Sequence, residues 1–468
     1  MIGGLKINNP LSMIDFSIKN QSLPTSICLP IFENEPIVKI GDKVLTGELL
    51  AASKNTHKGY THASISGEVI DISNKKIPHQ SDLSIQCITI KGDGLDNWIT
   101  IKKPDDFLLA TPQELITKLS KSGIVGLGGA GFLIDKKLKF LKNCHTIIIN
   151  GCECEPAIEA DNALMQEYPR EILRGIEILL YITNAKKAII AIEGDKQKAF
   201  DSLILLNSNP KISVQMVTEI YGSGAEKSLI NTISGIDIDS GKFAGNYGIL
   251  MQNIATTKAI FDYIIDGIPL IQRVVTIATN GTPYNSMVRV GTKINTITAT
   301  KNIRIGGLMM GLDLANNDYP VLKTTNGIFT ADTTEKEVLE CIRCGDCVEV
   351  CPAQLLPQQL YWFAKNKNIA KCLDYNLMDC TSCRCCDEVC GSNIPLSKYF
   401  TFAKQQHLKD IADKELATKS SERFEFREYR LKRNKQERDE MMARKREEIK
   451  AKNAELAEQN KGSNNAIN

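Results

Sequence analysis

The segments CIRCGDCVEVCP, residues 341–352, and CTSCRCCDEVC, residues 380–390, carry the most informative pattern in this chain of 468 residues. Each places four cysteines at the spacing C-x2-C-x2-C-x3-C, which is typical of bacterial ferredoxins that bind [4Fe–4S] clusters. In such runs three closely spaced thiolates bind one cluster and the fourth cysteine binds the other. We therefore predict two clusters with crossed ligands. The two ligand sets are Cys341, Cys344, Cys347 and Cys390, and Cys380, Cys383, Cys386 and Cys351.

Zinc is the alternative interpretation of closely spaced cysteine pairs, but a tetrahedral zinc site needs only four ligands. Two evenly spaced sets of four favour iron–sulfur clusters. The second set has Gly391 where Pro352 follows the first, which allows a different local turn. Two further cysteines, Cys372 and Cys385, are interpreted as spare buried thiols, and Cys385 would become a ligand only through a shift of register.

The overall composition restricts the class of protein. Ten of the fifteen cysteines lie between Cys341 and Cys390, which indicates metal binding and not a disulfide scaffold. Lys plus Arg number 57 against 55 Asp plus Glu, and this net charge of +2 argues against a nucleic-acid partner. We find no secretory signal and no apolar run of membrane-spanning length. We therefore expect a cytoplasmic protein that contacts a membrane only through partners.

The residue patterns predict a multidomain α/β protein. Alternation in PIVKIGDKVLTGELL predicts a small β-domain, whose GDxVxxGxLL and SGxV strands resemble the barrel-sandwich of biotinyl and lipoyl domains. Helical stretches then alternate with the strands TIIIN and AIIAIEG, as expected for a parallel sheet. The predicted parts are a barrel-sandwich β-domain (1–105), a Rossmann-like domain (106–260), a small β-grasp-like module (261–325), an α-helical two-cluster ferredoxin domain (326–412) and a charged helical or disordered tail (413–468).

Four segments of the α/β region suggest a cofactor site upstream of the cysteines. GLGGAGF (126–132) is a glycine-rich loop whose backbone could approach a phosphate or a flavin closely. Its spacing is not the GxGxxG dinucleotide signature, so alone it is a weak signal. NGCECEP (150–156) follows a strand, where ligands of open α/β sheets bind. YGSGAEK (221–227) and NIATT (253–257) add small and charged groups.

In this order, these segments and the cysteine clusters resemble the family formed by the C subunit of the Rnf/Rsx ion-translocating electron transport complex. They are more distantly similar to the flavin- and NADH-binding subunit of respiratory complex I. The resemblance covers roughly residues 20–405. It implies an NADH-linked oxidoreductase subunit, peripheral on the cytoplasmic side of the inner membrane, with non-covalent FMN, two [4Fe–4S] clusters and NADH as substrate. Other subunits of the complex would be its partners, coupling it to ferredoxin or to a redox regulator.

A flavin makes chemical sense in such a protein, because a hydride carries two electrons and a cluster accepts one. By motif matching, the resemblance implies a cofactor pocket without a separate catalytic residue. The expected cofactor-binding residues are Gly126, Gly128, Gly129, Gly131, Phe132, Lys137, Asn150, Glu153, Glu155, Tyr221, Gly224, Glu226, Asn253 and Thr256. Lys137 is expected near the flavin phosphate, with Asn150, Glu153 and Glu155 holding the flavin and the dinucleotide sugars.

The chain departs from the family at Leu133-Ile134, where Pro-Thr usually follows GGAGF. This leaves an alternative, an electron-relay and assembly subunit with clusters but no functional flavin or NADH site. Cys152 and Cys154 are interpreted as passive neighbours of the flavin. Lys54 or Lys58 would stand where carrier domains present a modified lysine, but we expect a docking structure there.

Overall fold

A computed structural model describes most of the chain. The described residues are 3–7, 15–32, 34–53, 59–79, 83–101, 106–129, 131–139, 141, 143–332, 334 and 336–464. Lys54 and Lys58 lie outside them. The chain divides into two units, Met1–Phe400 and Thr401–Asn468.

The secondary structure alternates as the sequence patterns predict. The strands are β1 Ile18–Asn20, β2 Ser26–Pro30, β3 Glu35–Pro36, β4 Lys43–Val44, β5 Leu49–Ala52, β6 Thr61–His62, β7 Gly67–Lys76, β8 Ser84–Gly92, β9 Thr146–Gly151, β10 Lys187–Glu193, β11 Ile212–Val217, β12 Ile249–Asn253, β13 Gln272–Ala278, β14 Tyr284–Arg289, β15 Ile303–Ile305, β16 Leu312–Leu314 and β17 Gly327–Thr330. The α-helices are α1 Pro112–Ser120, α2 Ile134–Lys139, α3 Ala160–Glu167, α4 Pro169–Thr183, α5 Gln197–Leu206, α6 Glu226–Ser234, α7 Ile254–Ile265, α8 Asp346–Glu349, α9 Pro357–Lys365, α10 Ile369–Asp374, α11 Cys385–Glu388 and α12 Leu396–Asn464.

The N-terminal β-domain consists of two small antiparallel sheets, with strand orders β2-β8-β7-β4 and β3-β5-β6. One core joins them, and it includes Ile27, Leu50 and Ile88, each with 0% exposure. Alternating residues of these strands turn inward because successive side chains of a strand point to opposite faces. The β-rich character predicted for this part of the chain is thus present.

The α/β domain is built on a four-stranded parallel sheet with the order β11-β10-β9-β12. Ile147 and Ile149 of β9 belong to one core cluster, and Ile148 belongs to a cluster on the other face. Burial on both faces explains why these strands read as continuous apolar runs. In chain order the strands are arranged 3-2-1-4, so the order reverses between β9 and β12, where ligands of doubly wound sheets bind.

A six-stranded sheet with the order β1-β14-β13-β17-β15-β16 forms the third region. It extends beyond the predicted module at residues 261–325 because it includes β17 and also recruits β1 from near the N-terminus. Strand β1 pairs with β14 through contacts nearly 270 residues apart, such as Ile18 with Asn285. Such pairing has no local sequence signal. The predicted domains are continuous segments of the chain, whereas this sheet combines a strand from near the N-terminus with strands that begin at Gln272.

Helix α12 continues from the cysteine region into the second unit. The charged segment that was predicted as either helical or disordered is therefore helical as far as Asn464. Its side chains from residue 411 to residue 458 are exposed. Among the described residues, no helix combines the length and the apolar character needed to cross a bilayer.

Candidate flavin and iron–sulfur sites

The edge where the strand order reverses carries two of the predicted residues side by side. Asn150 at the end of β9 and Asn253 at the end of β12 are direct partners in the parallel register. Asn150 donates from Nδ2 to the carbonyl of Gly224 at 2.9 Å. Asn253 accepts from the N–H of Thr256 at 3.3 Å and so caps α7. The sheet topology thus brings three separate sequence motifs to one edge.

The glycine-rich loop closes onto the same edge. The N–H of Gly126 donates to the carbonyl of Phe132 at 2.8 Å, and the N–H of Leu127 donates to Oγ1 of Thr256 at 2.9 Å. A side chain on Gly128 would lie 3.4 Å from Asn253, whereas nothing lies within 4 Å of the corresponding position on Gly129. The loop therefore presents open backbone next to the strand ends.

A cation and an aromatic ring flank this loop. Phe132 is 51% exposed. Lys137 on α2 forms an ion pair with Glu226, the first residue of α6, with 3.1 Å between Nζ and Oε2. An anionic ligand would compete with Glu226 for this ammonium group. Open backbone, an exposed ring and a lysine are groups that fit the phosphate and ring system of FMN.

A buried charged cluster lies beneath the glycine-rich loop. Glu153 accepts from the N–H groups of Asp161 and Asn162 at the start of α3, at 3.0 to 3.1 Å. Burial, followed by the charges of Asp161 and Glu159, raises the pKa of Glu153 well above its usual value. Glu159 in turn pairs with the buried Lys196 at 3.0 Å.

Arg273 joins this cluster to the loop. Its guanidinium donates to the carbonyls of Lys323 at 2.6 Å and Leu127 at 3.5 Å, and burial lowers its pKa to about 10. Asp161 accepts from Nδ2 of Asn253. Arg273 and Asp161 were not among the predicted site residues, because their roles depend on contacts between segments that are distant in the sequence.

Glu155 faces in another direction from Glu153. Its carboxylate accepts from the N–H groups of Met309 at 3.0 Å and Met310 at 2.8 Å. Burial raises its pKa, and only 9% of the residue is exposed. The glycines of the segment IGGLMMG could have indicated this close approach of the backbone to Glu155, because Gly307 is in direct contact with Glu155.

The two thiols of NGCECEP are partly enclosed between β9 and the YGSGAEK loop. A side chain on Gly224 would lie 2.8 Å from Sγ of Cys154 and 3.2 Å from Cβ of Cys152. Burial, with the nearby charge of Glu193, raises the pKa of both thiols. Neutral thiols of this kind agree with a passive role.

The two cysteine motifs have matching backbones. Arg343 and Ser382, which precede the second cysteine of each motif, have φ angles of 59° and 57°. Gln354 and Asn393, three residues after the last cysteine of each motif, both have φ of 52°. Because these angles coincide, the turn that contains Gly391 matches the turn that contains Pro352. The replacement of proline by glycine therefore does not change the local turn.

The crossed ligand sets agree with the arrangement of the chain. Cys351 lines a small cavity together with Cys380, Cys383 and Cys386 of the other motif. Conversely, Cys390 at the end of the second motif lies near the first motif, because the residues that follow it contact the start of that motif. There Ser392 donates from Oγ to the carbonyl of Glu340 at 2.8 Å, one residue before Cys341.

The donor set fits iron–sulfur clusters chemically. Burial raises the pKa of the Cys347 thiol to about 11, so a thiolate there requires a cationic partner such as cluster iron. A [4Fe–4S] cube offers a different iron to each of its four thiolates.

The second cysteine set packs directly against the α/β domain. The Tyr221 hydroxyl donates to the carbonyl of Cys383 at 2.6 Å, and Lys227 pairs with Asp379 at 2.8 Å. Arg384 contacts the neighbouring region of the six-stranded sheet, where it donates to the carbonyl of Met309 at 3.0 Å. By contrast, Cys344 of the first set is exposed. Tyr221, expected in the flavin pocket, therefore lies between that region and the cysteines.

The site thus combines a nucleotide-type α/β edge with two cysteine sets, which defines a class of protein that joins a flavin-type α/β domain to an iron–sulfur domain. Family comparisons match the Nuo51 FMN-binding domain at residues 119–262, the RnfC barrel sandwich hybrid domain at 3–95 and a 4Fe-4S dicluster domain at 340–394. The chain belongs to the RnfC family, whose members are the C subunits of ion-translocating oxidoreductase complexes.

Relatives described as the C subunit of this complex differ from the present chain in length. The Vibrio cholerae O1 protein (Classical Ogawa 395) is 37% identical over 443 residues, covering 90% of this chain and 57% of its own length. The Haemophilus influenzae PittEE protein is 39% identical over 357 residues, covering 73% and 55%. This chain therefore spans about half the length of these relatives. A chain of the NAD+-reducing [NiFe]-hydrogenase, in the H2-reduced state, is 15% identical with a TM-score of 0.45, covering 63% of this chain and 60% of that one.

Proposed function

We propose that this chain transfers electrons between NADH and two [4Fe–4S] clusters through a bound FMN. It would do so as a peripheral subunit on the cytoplasmic side of the inner membrane, where partner subunits couple the reaction to ion translocation and to ferredoxin or a redox regulator. The observation that supports this most directly is the packing of the second cysteine set on the α/β domain through Tyr221 and Lys227.

The two clusters would occupy different positions. The cluster of Cys380, Cys383, Cys386 and Cys351 would be the proximal cluster, because its loops contact the domain with the flavin edge. The cluster of Cys341, Cys344, Cys347 and Cys390 is the distal cluster, and its ligand Cys344 is exposed. An exposed ligand suits exchange of electrons with a partner protein.

At the flavin edge, the glycine-rich loop would bind the cofactor, and the residues beneath the loop would orient it. A bound FMN would supply the conversion of a two-electron hydride into single electrons. Lys137 would bind the phosphate after separating from Glu226. Thr256 and Arg273 hold the Leu127 backbone on both sides and so fix the loop that faces the ligand.

The relay function without a flavin is the second candidate, and one observation favours it. The carboxylates of Glu153 and Glu155 are engaged with backbone N–H groups within the chain. Ribose or flavin hydroxyls would have to share or displace these contacts. A relay subunit would need the clusters and the packing contacts but not a free carboxylate.

Binding of FMN and reduction by NADH separate the two candidates. We expect the anaerobically reconstituted chain to bind FMN and to show NADH-driven bleaching of its clusters. Lys137→Ala should weaken FMN binding by about tenfold or more, since it removes a charged hydrogen-bond donor. Lys136→Ala, on the same helix, is the matched control and should bind normally. A chain that holds both clusters but neither binds FMN nor reacts with NADH would contradict the proposal and support the relay.

A further inference from the structure

One thiol outside the predicted ligand sets lies among the ligands of the proximal cluster. Cys385 has 0% exposure and lines the same small cavity as Cys351, Cys380, Cys383 and Cys386. It begins the short helix α11, directly before the ligand Cys386. A spare cysteine at this place is therefore enclosed with the cluster and not simply buried in an apolar core.

The contacts of Cys385 are specific. Its side chain shares this cavity with the side chain of the ligand Cys383, two residues earlier in the chain. On its other side, a Cβ atom on Gly222 would lie only 3.8 Å from Sγ of Cys385. Gly222 belongs to the loop whose Tyr221 binds the carbonyl of Cys383. Cys385 thus stands between a cluster ligand and the loop of the α/β domain.

The equivalent position of the other motif offers a natural comparison. Asp346 precedes Cys347 as Cys385 precedes Cys386, and the two backbones match around these positions. Asp346 is exposed to solvent. A buried thiol beside the ligands is therefore a feature of the proximal cluster and distinguishes it from the distal one.

We propose that Cys385 is a positioning residue whose S–H group donates a hydrogen bond to the ligand sulfur of Cys383 and raises the reduction potential of the proximal cluster. This rests on the proposed ligand sets. A donor to a ligand sulfur withdraws negative charge from the cluster, and the reduced cluster carries one more negative charge than the oxidised one. Hydrogen bonds to sulfur are among the factors that set such potentials.

The test is an EPR-monitored redox titration of the full chain, using a chemical reductant and mediators. We expect Cys385→Ala to lower the reduction equilibrium constant of the proximal cluster about two- to fivefold, the size of a weak hydrogen bond. This corresponds to about 20 to 40 mV, since tenfold is about 59 mV for one electron. Cys385→Ser, which keeps a donor, should shift the potential less.

Cys372→Ala is the matched control. Cys372 is also a spare cysteine with 0% exposure, but its sulfur lies 4.0 Å from the carbonyl of Leu360, away from the ligand cavity. It should leave both potentials unchanged. The distal cluster should keep its potential in every variant.

Two results would overturn the inference. One is an unchanged proximal potential in Cys385→Ala with both clusters present. The other is loss of the proximal cluster, with iron falling from about eight to about four per chain, which would make Cys385 a ligand or a folding residue. The titration needs neither FMN nor NADH, so its outcome is independent of whether the flavin function fails.

Discussion

Gly307 has no space for a side chain, and the reason is the buried carboxylate of Glu155. A Cβ atom on Gly307 would overlap both Oε2 and Cδ of Glu155. Glu155 cannot simply rotate away, because it accepts hydrogen bonds from Met309 and Met310. We therefore predict that Gly307→Ala is strongly destabilising.

The magnitude follows from what the extra methyl group displaces. Overpacking a closed site costs about 1–3 kcal/mol. Moving Glu155 also breaks hydrogen bonds of a carboxylate, worth roughly 1.5–3 kcal/mol each when the acceptor is charged. Loss of one such bond together with overpacking gives a total of roughly 2.5–6 kcal/mol.

The assay compares thermal unfolding midpoints of the cluster-loaded full chain. Gly391→Ala is the control, because nothing lies within 4 Å of the Cβ position there. We expect a small effect for the control and a clear fall of the midpoint for Gly307→Ala. Because the chain has several domains, the midpoints rank the variants and do not yield a single free energy.

A double variant identifies the cause of the loss. In Glu155→Ala, the carboxylate that meets the new methyl group is gone, so adding Gly307→Ala should then cost far less than it costs alone. Equal midpoints for Gly307→Ala and Gly391→Ala would refute the reasoning. Full additivity of the two substitutions would also refute it.

Two further predictions concern the cysteines and acid stability. Cys351→Ser should remove the cluster of Cys380, Cys383 and Cys386 and lower the iron content from about eight to about four atoms per chain. EPR spectra that show damage only to the cluster of Cys341, Cys344 and Cys347 would contradict the crossed ligands. Burial, with the charge of Lys323, lowers the pKa of His62 from its ordinary value of 6.5 to about 3. Between these two pH values, the imidazole therefore binds a proton in the unfolded chain but not in the folded chain. The free energy of unfolding of the N-terminal β-domain, which contains His62, should therefore fall by about 1.5 kcal/mol as the pH drops from about 6.5 to about 5, and by less in His62→Asn. The same pH dependence in denaturant unfolding of both proteins would show that His62 is not responsible.

The sequence was most informative where chemistry is tied to local spacing. The C-x2-C-x2-C-x3-C runs predict crossed ligands, and the cavity that joins Cys351 to the Cys380 motif agrees with them. NGCECEP was expected at a strand end, and Asn150 is the penultimate residue of β9. Both predictions depend on residues a few positions apart, so no knowledge of distant contacts was needed.

Distant contacts account for what the sequence did not reveal. Gly307 and Glu155 are in contact although a long stretch of chain separates them, and Arg273 reaches Leu127 across a similar gap. A glycine in a turn or an arginine in a strand has many ordinary explanations. Only the pairing of sheets selects the one that applies, as β1 illustrates by joining a sheet whose other strands begin at Gln272.

The YGSGAEK loop shows why motif residues need not all touch a cofactor. Gly224 receives the hydrogen bond of Asn150 at the flavin edge, while Tyr221 binds the carbonyl of Cys383 and Gly222 adjoins Cys385. Three residues within the short stretch from Tyr221 to Gly224 thus connect the two predicted sites. A displacement of this loop would alter the strand ends and the proximal cysteines together. Residues of this loop therefore matter for the position of both sites, even where their side chains bind no ligand.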